Sequence, residues 1–81
     1  MHTILVEFEL GRLTRPVYES LRPELQTLPS ERSKVSLEGS GDTLKLLIIA
    51  EDVISLRAAV NTWLRLIKIA EDVLNTRMSS S

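Results

Sequence analysis

Hydrophobic and polar residues alternate along the first ten positions of the chain. The two sets of alternate side chains are His2, Ile4, Val6, Phe8 and Leu10 on one side and Thr3, Leu5, Glu7 and Glu9 on the other. A period of two is typical of a β-strand with one buried face. The sequence therefore predicts a half-buried strand that ends where Gly11 and Arg12 interrupt the alternation.

A short helix is predicted after this strand. Thr14 is expected to be its N-cap, and Pro16 falls in the first turn, where the missing N–H removes no hydrogen bond. Val17 and Leu21 lie four residues apart and share one side of the helix. Pro23 is expected to end the helix after about two turns, because its ring would clash with the carbonyl group four residues earlier.

The middle of the chain predicts a β-hairpin. Residues 24–33 show little periodicity and are expected to be a loop with a turn around Leu25 and Leu28. Alternation resumes over 33–38 and again over 43–49. The sequence Gly-Ser-Gly-Asp at 39–42 is predicted to be the turn, since glycine tolerates the positive φ of hairpin turns. The side chains expected to face the core are Val35, Leu37, Leu44, Leu46 and Ile48, and those expected to face away are Lys45, Leu47 and Ile49.

A long helix is predicted for the last third of the chain. Glu51 and Asp52 are expected to cap it, because carboxylates accept the free N–H groups of the first turn and suit its positive end. The helix is expected to run to about Arg77 and to leave residues 78–81 as a disordered tail. Its apolar stripe consists of Leu56, Val60, Trp63, Ile67, Ala70 and Leu74.

These elements predict one α+β domain over residues 1–77. Their order is β-α-β-β-α. A layered arrangement of this kind buries the apolar face of the sheet under the helices. We therefore expect a three-stranded antiparallel sheet that carries two helices on one face.

The long helix has more apolar surface than an ordinary amphipathic helix needs. At about 100° per residue its apolar arc spans about 240°, well beyond the single stripe of a surface helix. Leu66, Ile69 and Val73, with Thr62 between turns, widen the stripe on one flank, and Leu64 widens it on the other. Either the first helix and the loop cover this surplus, or the helices of a partner protein dock on it. We favour docking, because the first helix is too short to shield the whole length.

The sheet face turned away from the helices also carries apolar residues. They are Leu5, Leu47 and Ile49. Small monomers rarely expose contiguous apolar patches of more than a few hundred Å². We therefore expect this face to form the interface of a homodimer.

Composition and charge narrow the classes of function. The chain has 81 residues and a formal net charge of −1, and a protein that binds nucleic acid strongly on its own is usually basic. No run approaches the roughly 20 apolar residues that cross a bilayer, and no basic leader precedes an apolar core. We therefore expect a cytoplasmic protein that does not associate with membranes.

The sequence offers little material for catalysis. It has no cysteine and one histidine, His2, so neither a metal site nor a catalytic triad is expected within one chain. Gly39-Ser40-Gly41 lacks the spacing of a phosphate-binding loop. The carboxylate pairs Glu51–Asp52 and Glu71–Asp72 are interpreted as a helix cap and a solvated face. We expect no catalytic residue, no bound metal and no cofactor.

A cationic stripe lies on the polar side of the long helix. Arg57, Arg65 and Lys68 share that side with Asn61. Basic side chains in such a row suit contacts with phosphate groups. The alternative interpretation is a solvated face without a ligand.

Three segments resemble the sequence signature of one family. They are residues 18–24 (Tyr-Glu-Ser-Leu-Arg-Pro-Glu), residues 32–35 (Arg-Ser-Lys-Val) and residues 50–65, which include Leu-Arg-Ala-Ala at 56–59 followed by Asn61. The family is the small Pcc-type dimerisation subunit of the KEOPS (EKC) complex. The resemblance extends from Leu5 to Val73.

The resemblance implies a fold and a role. Pcc-type subunits resemble one another in a β-α-β-β-α fold, form homodimers and are not enzymes. Their complex makes threonylcarbamoyladenosine beside the anticodon of tRNAs. The small subunit binds the ATPase-like catalytic subunit through its helices, so that two catalytic arms assemble on one dimer, and it is thought to help hold tRNA. The family also carries a transcription label.

We therefore expect a non-catalytic dimerising scaffold of a tRNA-modification complex. The residues expected to contact the catalytic subunit are Tyr18, Leu21, Thr62, Leu66, Ile69 and Val73. The alternative is a small KH-like protein that binds nucleic acid or acts in transcription on its own. Salt-dependent binding of the isolated protein to RNA or DNA would favour this alternative, and co-purification with a large ATPase-like subunit would favour the scaffold.

Overall fold

A computed structural model describes residues 1–27 and 32–79. The strands are β1 (His2–Glu9), β2 (Ser33–Ser40) and β3 (Thr43–Ala50), and the helices are α1 (Thr14–Leu21), α2 (Glu24–Thr27) and α3 (Val53–Ser79). A single 3₁₀ turn, Gly11–Leu13, joins β1 to α1. The predicted α+β class and the order β-α-β-β-α are confirmed, with the short α2 as an addition.

The sheet has β3 at its centre. β1 and β2 pair with it on either side, and both pairings are antiparallel. A central strand needs apolar residues on both faces, and β3 supplies them. Leu44, Leu46 and Ile48 are fully buried on one face, while Leu47 and Ile49 are half-buried on the other.

The core lies between the sheet and the two longer helices, which pack against the same face. Its buried residues are Leu13, Val17, Leu21, Leu37, Leu44, Leu46, Ile48, Trp63 and Ile67. Trp63 is 2% exposed, which confirms its expected place in the apolar stripe of α3. The rest of the predicted stripe, Leu56, Val60, Ala70 and Leu74, packs against this core as partly buried side chains.

The expected N-cap role of Thr14 is wrong. The 3₁₀ turn continues directly into α1, so Thr14 already has helical backbone angles and its N–H donates to the carbonyl of Gly11. Its side chain is buried instead of capping the helix. Within the described residues, its hydroxyl oxygen has no hydrogen-bond partner.

The expected loop over residues 24–33 is partly helical. After α1 ends at Leu21, the N–H groups of Leu25 and Gln26 donate to the carbonyls of Arg22 and Pro23, which forms the single turn α2. The turn expected near Leu25 is thus a single helical turn, which is too short to show a period of 3.6 residues in the sequence. Residues 28–31 of the expected loop lie outside the described residues.

The hairpin turn is tighter than expected. β2 continues through Ser40, which pairs with Thr43, so that the turn consists of Gly41 and Asp42. Gly41 has φ = +58°, whereas Asp42 does not have a positive φ. A glycine with positive φ at the first of two central positions is typical of a type II′ turn.

α3 is longer than the sheet it covers. Its 27 residues span about 40 Å, against about 27 Å for a strand of eight residues. The longest dimension of the molecule is 45 Å. α3 ends at Ser79, two residues beyond the expected end, and the remaining two residues of the expected tail lie outside the described residues.

Candidate interaction surfaces

The outer sheet face, which we define as the face turned away from α1 and α3, brings the three predicted interface residues together. Leu5 lies directly opposite Leu47, and Ile49 follows two residues later on β3. Leu5 is 55% exposed, while Leu47 and Ile49 are half-buried. The result is a small apolar patch over β1 and β3.

Charged residues border this patch. Lys45 lies between Glu7 of β1 and Glu38 of β2, each of which pairs with it across the sheet. Lys34 pairs with Ile49 at the opposite end of β2. The outer sheet face is therefore apolar in its middle, acidic at one end of β2 and basic at the other.

The α3 flank, which we define as Thr62, Leu66, Ile69 and Val73, is partly open to solvent. Ile69 and Val73 are 53% and 52% exposed, and Thr62 is exposed as well. Leu66 is half-buried and packs against the core. The structure thus leaves two large apolar side chains of the flank uncovered, about one turn apart.

The two residues of α1 that were expected to join this flank have different positions. Leu21 is only 5% exposed and belongs to the core, so its expected role as a partner contact is wrong. The reason is its spacing from Val17, which places both side chains on the side of α1 that faces the sheet. Tyr18 is half-buried, and its Cβ lies close to Gly39 of β2.

The predicted cationic stripe is exposed but is not uniformly basic. Arg57, Arg65 and Lys68 all lie on the solvent side of α3. The Lys68 Nζ donates a hydrogen bond to Asp72 Oδ1 at 3.2 Å, one turn further along. The carboxylate of Asp72 therefore offsets part of the positive charge.

The connection from β3 to α3 is held by Asp52. The N–H of Ser55 donates to Asp52 Oδ1 at 2.7 Å, which confirms the predicted carboxylate cap. The guanidinium of Arg32 lies 3.8 Å from the second carboxylate oxygen. The hydrogen bonds from Ser55, mainly that of its backbone N–H, lower the pKa of Asp52, and the charge of Arg32 adds to this effect.

Over residues 1–27 and 32–79, no helix combines the length and the apolar character that a membrane span requires. Within these residues, no three side chains among histidine, cysteine, aspartate and glutamate are grouped so that they could hold a metal ion.

Comparison with known proteins assigns the family. The sequence model of the family described as "Transcription factor Pcc1" matches residues 1–75. The chain belongs to the Pcc1 family. It is 39% identical over 72 residues to the KEOPS complex subunit Pcc1 of Pyrococcus abyssi (strain GE5 / Orsay), and the alignment covers 89% of this chain and 88% of that protein. The resemblance seen in the sequence is thereby confirmed.

Sequence reasoning missed some surface residues of this Pcc1-family chain. Val53 and Ile54 are 49% and 82% exposed, and with Arg57, Ala58 and Asn61 they line a shallow groove on the first turns of α3. Their signal was visible, since Ile54 falls on the polar side of the helix. The row of Glu7, Lys45 and Glu38 was also missed, because it depends on the register between strands.

Proposed function

We propose that this chain is a non-catalytic, dimerising scaffold subunit of a KEOPS complex and supports the formation of threonylcarbamoyladenosine in tRNA. The observation that carries the proposal is the match to the Pyrococcus abyssi KEOPS complex subunit Pcc1 over nearly the whole of both chains. In this role the chain acts in the cytoplasm and uses no cofactor of its own. The absence of cysteine and the single histidine are consistent with a partner that supplies the chemistry.

The proposed scaffold is a homodimer formed through the outer sheet face. The apolar patch of Leu5, Leu47 and Ile49 supports this interface. Covering an apolar side chain fully contributes roughly 1.5–3 kcal/mol, and the half-buried Leu47 and Ile49 gain correspondingly less.

Leu47→Glu tests the interface. The variant places an unpaired charge at the centre of the proposed contact, and burial of such a charge is unfavourable. We expect sedimentation equilibrium at micromolar concentration to show a wild-type dimer and a variant that is mainly monomeric. A wild-type monomer, or a variant that remains dimeric, would contradict the assignment of this face.

The catalytic subunit, an ATPase-like protein, is proposed to dock on the α3 flank. Exposed Ile69 and Val73 support this, because apolar side chains on a helix suit the groove between helices of a partner. Tyr18 is retained as a candidate contact on α1. Leu21 is excluded, since the core already covers it.

The tRNA is proposed to contact the polar side of α3, which lies opposite its buried side. Arg57 and Arg65 supply its main positive charge, with Lys68 partly neutralised by Asp72. Reversal of Arg57, Arg65 and Lys68 to Glu should weaken tRNA binding by the assembled complex and flatten its dependence on salt. Subunit assembly should be unchanged. Normal tRNA modification by this variant would contradict a role for these residues in tRNA binding.

The description of the matching family as a transcription factor also supports a second candidate, a protein that acts in transcription by binding nucleic acid on its own. One experiment separates the two candidates. The chain is expressed with an affinity tag in its host, and the purified material is analysed for protein partners and for bound nucleic acid. Co-purification of an ATPase-like subunit supports the KEOPS scaffold. Nucleic acid retained without that subunit, and released by salt, would support the transcription role instead.

A further inference from the structure

We infer that two copies of this chain pack through their outer sheet faces about a two-fold axis that runs across the strands, so that Lys34 of one copy faces Glu38 of the other. The inference rests on the proposed homodimer and adds its orientation. It follows from the register of the sheet and from the charges that this register places on the outer sheet face.

The outer sheet face is a grid of side chains in rows across the three strands. Taken in the order β1, β3, β2, successive rows are Thr3, Ile49 and Lys34, then Leu5, Leu47 and Ser36, then Glu7, Lys45 and Glu38. The middle row holds two leucines and no charge. The rows on either side carry opposite charges on β2.

An axis across the strands, at the middle row, exchanges the two ends of the sheet. Leu5 and Leu47 then lie over their own counterparts in the second copy. Lys34 lies over Glu38, and the symmetry of a two-fold interface repeats this contact. Ile49 lies over the aliphatic stem of Lys45, whose ammonium group can still reach solvent.

An axis along the strands exchanges the two edges of the sheet and produces the opposite result. Lys45 then lies over Lys45 of the second copy, and Glu7 lies over Glu38 twice. These are three contacts between like charges. Because like charges in contact oppose association, the charge pattern selects the axis across the strands.

The spacing of the strands allows the proposed contact. Lys34 and Glu38 are separated by four residues, or about 13 Å, so they cannot pair within one chain. Both side chains are exposed. Packed sheets lie about 10 Å apart and cross at about 30°, which shifts facing side chains by a few Å. Long lysine and glutamate side chains can span that offset.

Charge reversal tests the orientation. Lys34→Glu and Glu38→Lys each replace two attractive contacts by two repulsive ones, so each variant alone should dimerise roughly tenfold more weakly than the wild type. Mixing the two variants restores attraction in both contacts. We therefore expect the mixture, with a size tag on one variant, to form heterodimers in excess over both homodimers in native mass spectrometry.

The control pair is Arg15→Glu and Glu19→Lys on the exposed side of α1. Its mixture should give the statistical ratio of homodimers and heterodimers. If the wild type dimerises but the Lys34 and Glu38 variants also mix statistically, the orientation is overturned while the homodimer stands. A monomeric wild type would overturn both. Circular dichroism shows whether each reversal folds. If one does not, the milder Lys34→Gln and Glu38→Gln replace the pair, and each should weaken the dimer. Unchanged dimerisation by both would overturn the orientation.

Discussion

Thr14 illustrates how the backbone decides the role of a side chain. Threonine is a good helix cap where a helix begins from extended backbone. Here the 3₁₀ turn Gly11–Leu13 runs into α1, and the capping position passes to residues before Thr14. The hydroxyl is left buried, without a hydrogen-bond partner among the described residues, and a buried polar group in that state destabilises the fold.

Replacement of this hydroxyl should therefore stabilise the protein. Thr14→Val keeps the shape of the side chain and removes the unpaired group, so we expect the free energy of unfolding in urea to rise by roughly 1 kcal/mol. The control Thr14→Ser keeps the hydroxyl and loses a methyl group, and it should lower that free energy. Protein concentration must be held fixed, since the proposed dimerisation would add to apparent stability. Destabilisation by valine would mean that the hydroxyl has a partner in solution.

Asp52 should make the stability of the folded chain depend on pH. Because its pKa is lowered in the folded chain, the ionised carboxylate contributes stability at neutral pH, and this contribution is lost as the pH falls through the folded-state pKa. Asp52→Asn keeps an oxygen that can cap Ser55 but removes the charge, whereas Asp52→Ala removes both. At pH 7 both variants should melt below the wild type, with the alanine variant lower.

The wild type and Asp52→Asn should converge on acidification. The difference in melting temperature between the wild type and Asp52→Asn should shrink as the pH falls into the range where carboxylates protonate. This difference is measured by thermal melts, monitored by circular dichroism, between pH 7 and pH 2. A difference that stays constant over this range would show that the charge of Asp52 does not stabilise the folded chain.

At the scale of elements, α3 has a buried side and an exposed flank that mutation can separate. Ile67 is 2% exposed, while Ile69, two residues later, is 53% exposed. Ile69→Asp should change the free energy of unfolding by less than about 1 kcal/mol, as surface substitutions away from a core do, and should abolish binding of the catalytic subunit. The comparison is Ile67→Ala, which should cost roughly 2–5 kcal/mol of stability because it opens a cavity.

Size-exclusion chromatography with the catalytic subunit and urea unfolding of the chain alone give the two readouts. If Ile69→Asp still co-elutes with the catalytic subunit, the docking surface lies elsewhere. If it unfolds the chain, the flank is part of the core.

The elements that could be predicted from the sequence are those long enough for the spacing of their apolar residues to show which side is buried. Alternation located all three strands, and the spacing of Leu56, Trp63 and Ile67 located the buried side of α3, because each pattern depends only on neighbours in the chain. The exact extent of the hairpin turn at Gly41 and the helical form of α2 could not be predicted, since neither segment is long enough to show a period.

The parts of the candidate surfaces that depend on contacts between elements were harder to predict. The spacing of Val17 and Leu21 places both on one side of α1, but the burial of that side also depends on how α1 packs on the sheet. The opposition of Lys45 to Glu38 follows from the register of the hairpin, which the turn length sets, whereas its opposition to Glu7 follows from the separate register between β1 and β3. A hairpin turn two residues longer, as the sequence suggested, would have shifted the pair of Glu38 and Lys45.

At the scale of the whole molecule, two of the apolar surfaces on the described residues lie on opposite sides. One is the outer sheet face with Leu5, Leu47 and Ile49, and the other is the α3 flank with Ile69 and Val73. The core between the sheet and α3 separates the two surfaces. One copy can therefore contact a second copy and a different protein at once. This separation is what a dimer that carries one catalytic subunit on each copy requires.

The stoichiometry of the complex tests this account most directly. The chain is mixed with the ATPase-like catalytic subunit from the same organism, and the mass of the complex is measured by native mass spectrometry. We predict two copies of each subunit for the wild type and one copy of each for Leu47→Glu. A wild-type complex with one copy of each subunit, or no complex at all, would contradict the account.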